Sequence, residues 1–236
     1  KARWPERCGT LWPRCAKLRG PKVIVPRDGY AQTGRLRAFV KTCVVEYIFT
    51  NASGADITTL YPPEMVGGAV CKTGYTGYVD EDSLKLIQKL QREIPLRDID
   101  MGYRAGKLPY WFGRHGQLKV ELAEYFENTV APAYPHMALD IHTTGAQGEY
   151  AILGHDWLRF LLRGRVQLGC LGGSSLMDED GSVRQRVSAF LQEYSDATFN
   201  EAEEACFKGI DGNIHVFLLG PKHFECAMTK TCMVLV

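Results

Sequence analysis

The chain has 236 residues, 45% of them hydrophobic and 23% charged, with a formal net charge of +1. That length suits one well-filled core, because chains divide into domains mainly beyond about 250 residues. The composition excludes a disordered or fibrous chain, and the near-zero charge excludes a surface built throughout for nucleic acid.

No apolar run reaches the roughly 18 residues that a membrane-spanning helix needs, so no span is expected. Because Lys1 is preceded by neither a methionine nor a leader, a processed or trimmed product is expected.

Residues 1–20 read as a basic arm, with six Lys or Arg against Glu6 alone and a near-repeat, Trp4-Pro5-Glu6-Arg7-Cys8 and Trp12-Pro13-Arg14-Cys15. Each proline biases the tryptophan before it toward extended backbone, which displays both rings with the cations. Such an arm suits a protein partner or an oligomer interface; nucleic acid is a further candidate that the net charge does not support. The alternative is that both tryptophans pack back on their own domain. The fragment "TLWPRC" lacks the catalytic histidine of the ribonuclease signature "HGLWP", and that reading is rejected.

Residues 21–236 are expected to form one globular domain. Residues 23–61 are rich in β-branched and aromatic side chains and read as strands, including all of "RLRAFVKTCVVEYIFT", closed by the turn former "NASGAD". Residues 66–79, "VGGAVCKTGYTGYV", read as a twisted or bulged hairpin; their glycines do not match a nucleotide-binding loop. Leu84, Ile87, Leu90 and Ile94 recur at helical spacing after Asp82, and Leu118, Leu122, Tyr125 and Phe126 do the same over 117–130. Between these helices lies "LPYWFGRHG". Three consecutive aromatics cannot all face one core, so the 110–115 loop is a candidate binding surface, with Tyr110, Trp111 and Arg114.

A strand over 137–143, a helix over 156–164 and a strand over 165–171 follow. A helical region over 182–209 then breaks near Ser195-Asp196. The end, "NIHVFLLGPKHFECAMTKTCMVLV", reads as an antiparallel hairpin around Gly220-Pro221. Strands thus come in groups rather than alternating with helices. The expected class is α+β, a mostly antiparallel or mixed sheet with about four to five helices.

Eight cysteines and a glycosylation sequon at Asn51 lean toward a secreted or otherwise oxidising compartment. Cys43, Cys71 and Cys232 sit in apolar runs where buried free thiols are equally natural, and no C-x-x-C pair is present. The acidic triplets at 80–82 and 178–180 each precede a helix and read as caps.

The densest chemistry lies in "HMALDIHTTGAQGEYAILGHDW", residues 136–157, which hold three of the six histidines. Alternation along a strand puts Asp140 and His142 on one side. Imidazole and carboxylate suit zinc or another divalent metal, and a catalytic site needs about three ligands with one position open for water. The expected set is Asp140 and His142 completed by His155 or Glu149, with Glu149 as general base where it is not a ligand. The spacing from His142 to Glu149 resembles the first half of the D-Ala-D-Ala metallopeptidase pattern, with Glu in place of that family's Asp and no later H-x-H. Ordinary roles compete: Asp140 bonding a turn amide, His142 a satisfied core histidine, Asp156 a helix cap.

"LGCLGGSS" resembles the G-x-C-G-G nucleophile loop of viral chymotrypsin-like cysteine proteases, which would make Cys170 the nucleophile and give His215 a place in the substrate pocket. Leu171 is inserted relative to that loop. Three functional expectations result: a metal-assisted hydrolase around Asp140 and His142; a non-catalytic structural or interaction subunit of a larger viral or multiprotein assembly, docking through the arm and the 110–115 loop; and a cysteine protease using Cys170.

Overall fold

The computed structural model describes residues 12–75, 77–94, 96–144 and 148–236. They fall into two compact units, Lys1–Gly74 with Gly173–Phe217 and Tyr75–Gly172 with Leu218–Val236.

The first unit opens with α1 (Trp12–Lys17), β1 (Val23–Ile24), α2 (Thr33–Cys43), β2 (Tyr47–Thr50), α3 (Ala55–Leu60) and β3 (Val70–Thr73). The sheet runs β1-β2-β3, wholly parallel. Residues 35–43, expected as strand, are helix. Thr33, Arg37, Val40 and Cys43 are its buried positions, a spacing close to 3.6 that outweighs the β-branched composition. Once α2 is a helix, strands and helices alternate, and alternation selects parallel pairing because a parallel strand needs a crossover.

Arg37 is buried, and its guanidinium donates to the Leu60 and Thr59 carbonyls at 2.7 Å each and to Glu179 Oε1 at 2.6 Å. The Asp178 carboxylate accepts from the amides of Gly181, Val183 and Arg184. It thereby satisfies orphan donors at the start of α8 (Ser182–Glu193). The helix α9 (Phe199–Cys206) starts in a capping box of Thr198 and Glu201. A two-stranded sheet joins β7 (Gly172–Ser174) to β8 (Val216–Leu218).

The second unit contains α4 (Glu81–Glu93), β4 (Ile99–Gly106), α5 (Arg114–Tyr125), which runs through a π-helical turn at Phe126–Val130 into α6 (Ala131–Ala133), then β5 (Leu139–Thr144), α7 (His155–Arg163), β6 (Gly164–Gly169), α10 (Pro221–Met228) and β9 (Cys232–Leu235). Asp80 rather than Asp82 caps α4, its carboxylate accepting from the Ser83 amide at 2.8 Å.

Its sheet order is β5-β4-β6-β9, and every pairing is parallel. The expected α+β class with a mostly antiparallel or mixed sheet and four to five helices is therefore corrected: both larger sheets are parallel, and the arrangement is α/β. The two expected hairpins are corrected for the same reason. β3 pairs parallel to β2. Pro221 does not turn one strand into another but opens α10 at N1, where its missing N–H costs nothing.

Tyr103, Ile141 and Leu168 pack on Leu122 and Ala123 of α5. Neighbouring strand positions face opposite sides, and a Cβ on Gly102 would meet the Phe160 ring of α7 at 2.8 Å. The helices α5 and α7 therefore cover opposite faces, a doubly wound layering. Among the described residues no helix is long and apolar enough to cross a membrane.

Candidate functional site

In a doubly wound parallel sheet the loops at the carboxyl ends diverge where the strand order reverses, and ligands bind in the crevice so formed. In the second unit that reversal lies between β4 and β6. Their ladder runs from Ile99↔Gly164 only to Gly102↔Gln167. By contrast, β4–β5 continues to Gly106↔Thr144 and β6–β9 to Gly169↔Leu235. Backbone groups of β6 beyond Gln167 are thus open to other partners on the β4 side.

Lys222 takes one of them. From the first turn of α10 its Nζ donates to the Leu168 carbonyl at 2.8 Å. The ammonium lies 4.6 Å from the centroid of the Tyr103 ring and 6.0 Å from that of Trp157. Burial drives its pKa down to about 8; the nearby Cys226 and Cys170 oppose this, and the cations of Lys119 and Arg104 add to it. Among the described residues Lys222 has no ion-pair partner. Glu225, three residues on, is turned to the indole Nε1 of Trp157, from which it accepts at 2.8 Å.

The walls are equally defined. The Tyr103 hydroxyl donates to the Lys119 carbonyl at 3.0 Å, and burial, reinforced by Cys170 beside it, keeps that phenol protonated far above the ordinary range. Cys170 follows β6 directly and is half-buried. Burial pushes the Cys226 thiol up to about 11. His115, at the start of α5, holds the loop after β6 through Nε2, 3.0 Å from the Leu171 carbonyl and 3.3 Å from that of Gly172; both are acceptors, so Nε2 carries the proton.

Beside this opening, β4 and β5 bring together two of the residues expected to bind metal. Asp140 Oδ1 is 2.6 Å from Arg104 Nη2 and 3.3 Å from His142 Nε2, while His142 stacks on Tyr150 with centroids 4.4 Å apart. Arg104 also donates to the Tyr103 and Asp140 carbonyls and lies over the Phe160 ring. The Asp140 carboxylate is therefore the counter-charge of a largely enclosed guanidinium. His155 begins α7 and Glu149 lies on the turn before it, both exposed. Among the described residues no group of three or more His, Cys, Asp or Glu side chains is placed to hold a metal ion.

The other expected residues make other contacts. Tyr110 and Trp111 are half-buried in a 3-10 turn, and Arg114 pairs with Glu121 at 3.6 Å. Trp12 sits edge-on to Phe39 at 5.5 Å within the first unit; Trp4 lies outside the described residues. His215 belongs to the first unit, where its amide donates to Asp56.

Compared with models of protein families, with curated proteins and with solved structures, the chain gives no match. The site therefore rests on its own geometry.

Lys222 was missed in the sequence because lysines are common surface residues. A signal was present: a cation in the first turn of a helix, just after a proline at N1, sits at the positive end of the dipole, where cations are disfavoured.

Asp140→Ala is expected to destabilise the second unit by about 2–3 kcal/mol, because it leaves the Arg104 guanidinium enclosed without its counter-charge. Urea titration followed by amide exchange in β4 and β5 measures this. An unchanged midpoint would remove Asp140 from its structural role.

Proposed function

We propose that the second unit is the catalytic unit of an enzyme acting on a small molecule at the carboxyl ends of β4 and β6, with the Lys222 amine as reactive group. The observation that carries this reading is an enclosed lysine with no carboxylate partner among the described residues, at the place where a doubly wound sheet opens. A surface lysine stays charged at neutral pH and is a weak base and nucleophile; burial without a counter-ion releases the lone pair that proton abstraction or attack requires. The Tyr103 ring covers the amine while its hydroxyl donates to the Lys119 carbonyl, and Leu168 orients the amine through its own carbonyl.

Competitive trace acetylation of the full chain across pH, followed by peptide mapping, tests this. Lys222 should titrate near pH 8, well below the ordinary lysine value of about 10.4. The reading fails if Lys222 titrates with the rest.

Metal-assisted hydrolysis around Asp140 and His142, with His155 or Glu149, is a second reading. The proximity of the first two on one face of β5 favours it. Stoichiometric zinc in purified protein, lost in His142→Ala, would support it over the first.

A further inference from the structure

We infer that the molecule taken by Lys222 is a short carbonyl compound bearing a carboxylate, a 2-oxo acid or its aldehyde analogue, which condenses with Nζ to an imine in the opening between β4 and β6. This deepens the reading above and rests on it.

Three observations select the class. First, the only described hydrogen-bond partner of the amine is an acceptor, the Leu168 carbonyl, which orients the nitrogen without a negative charge to hold it as ammonium. Second, aromatic faces flank the nitrogen: the Tyr103 and Trp157 rings restrict water around it, and an imine survives only where water is restricted. The residue is still half-buried rather than sealed, so a small reactant can reach it. Third, the charged groups felt at Nζ from the neighbouring strand and helix are Arg104 on β4 and Lys119 on α5, both cations. Asp140 already neutralises the first, at 2.6 Å. Lys119 is left to attract an anionic substituent. A phosphate or carboxylate alone would bind as well to any charged surface lysine; an amine that gives up its proton more readily than an ordinary lysine suits an electrophile.

The step balances without an oxidant. The Nζ lone pair bonds to the carbonyl carbon, and the carbonyl π pair moves to oxygen, which takes a proton. The carbinolamine then expels that oxygen as water with the two protons originally on nitrogen, leaving C=N. The thiols of Cys170 and Cys226 and the Tyr103 phenol are the titratable groups nearest this exchange.

The test is reductive trapping of the full chain with glyoxylate and cyanoborohydride near neutral pH, read by peptide mapping. Hydride adds to the imine carbon and fixes a carboxymethyl group on the nitrogen. With its amine giving up its proton at lower pH than an ordinary lysine, Lys222 should be modified at least about tenfold faster than Lys85 or Lys230, after allowance for its partial enclosure. Lys222→Arg should abolish the fast phase alone. Lys119→Gln should slow trapping of glyoxylate at Lys222 while leaving trapping of propionaldehyde unchanged, so the inference does not depend on the first variant folding.

Trapping at Lys222 no faster than at surface lysines overturns the inference. If acetylation finds Lys222 titrating near 8 while no imine is trapped, the carbonyl class is wrong and the reactive amine stands. If Lys222 titrates with the surface lysines, both fail. Equal slowing of both aldehydes by Lys119→Gln rejects the carboxylate specificity.

Discussion

Lys222→Met is expected to stabilise the second unit by about 2 kcal/mol at pH 7, a gain that fades as the pH rises toward 10. In the folded chain the amine titrates near 8 and in the unfolded chain near the ordinary value. Its folded pKa is the lower of the two, so between those values the unfolded chain binds more protons and stability rises with pH. Above the unfolded pKa the group is neutral in both states and costs nothing. As the pH falls through the folded pKa the cost becomes complete and then stays constant. The gap between those two values corresponds to roughly 3 kcal/mol, from which about 1 kcal/mol is deducted for the bond lost at the Leu168 carbonyl. Urea midpoints at neutral and alkaline pH, read from exchange in β4 and β6, measure the difference. A variant less stable than the parent at pH 7 would show that Lys222 serves the fold. A group retained at a cost in stability is what a functional site requires.

Gly173→Ala is expected to cost the first unit at least about 3 kcal/mol, through backbone strain added to a steric clash. Gly173 has φ +116°, and a Cβ there would stand 1.7 Å from the Val216 carbonyl oxygen and 2.9 Å from its carbon. Both atoms are backbone of the partner strand β8, so relief requires parting the pair. Its neighbour is the control. A Cβ on Gly172 would meet nothing closer than the Leu218 side chain, at 3.5 Å, an ordinary van der Waals contact, and Gly172→Ala should cost less than about 1 kcal/mol. Proteolysis at β7 and β8 compares the two. Equal resistance in both variants would show that the close approach at Gly173 is relieved without loss.

What the sequence determined by itself was local. Leu84, Ile87 and Leu90 recur at helical spacing, and α4 forms there because one face of a helix gathers such residues whatever surrounds it. Alternation along β5 put Asp140 and His142 on one side, and they lie 3.3 Å apart. The break near Ser195-Asp196, between α8 and α9, was legible because turn and cap chemistry acts within a few residues. In residues 35–43, by contrast, two local signals disagreed, and β-branched composition hid the helical period of Thr33, Arg37 and Val40. With that helix misread, alternation was lost and the sheets were taken as antiparallel.

Tertiary structure alone decided the rest, because strand pairing and desolvation are non-local. Whether β6 lies beside β4 or β5 depends on crossovers tens of residues long. The guanidinium that takes up the Asp140 carboxylate comes from Arg104 on a neighbouring strand. Lys222 in "GPKHF" is an ordinary lysine until Tyr103, Trp157 and Leu168, brought from three other elements, enclose its ammonium. Its chemistry follows from the water that those residues displace, and no spacing along the chain records that.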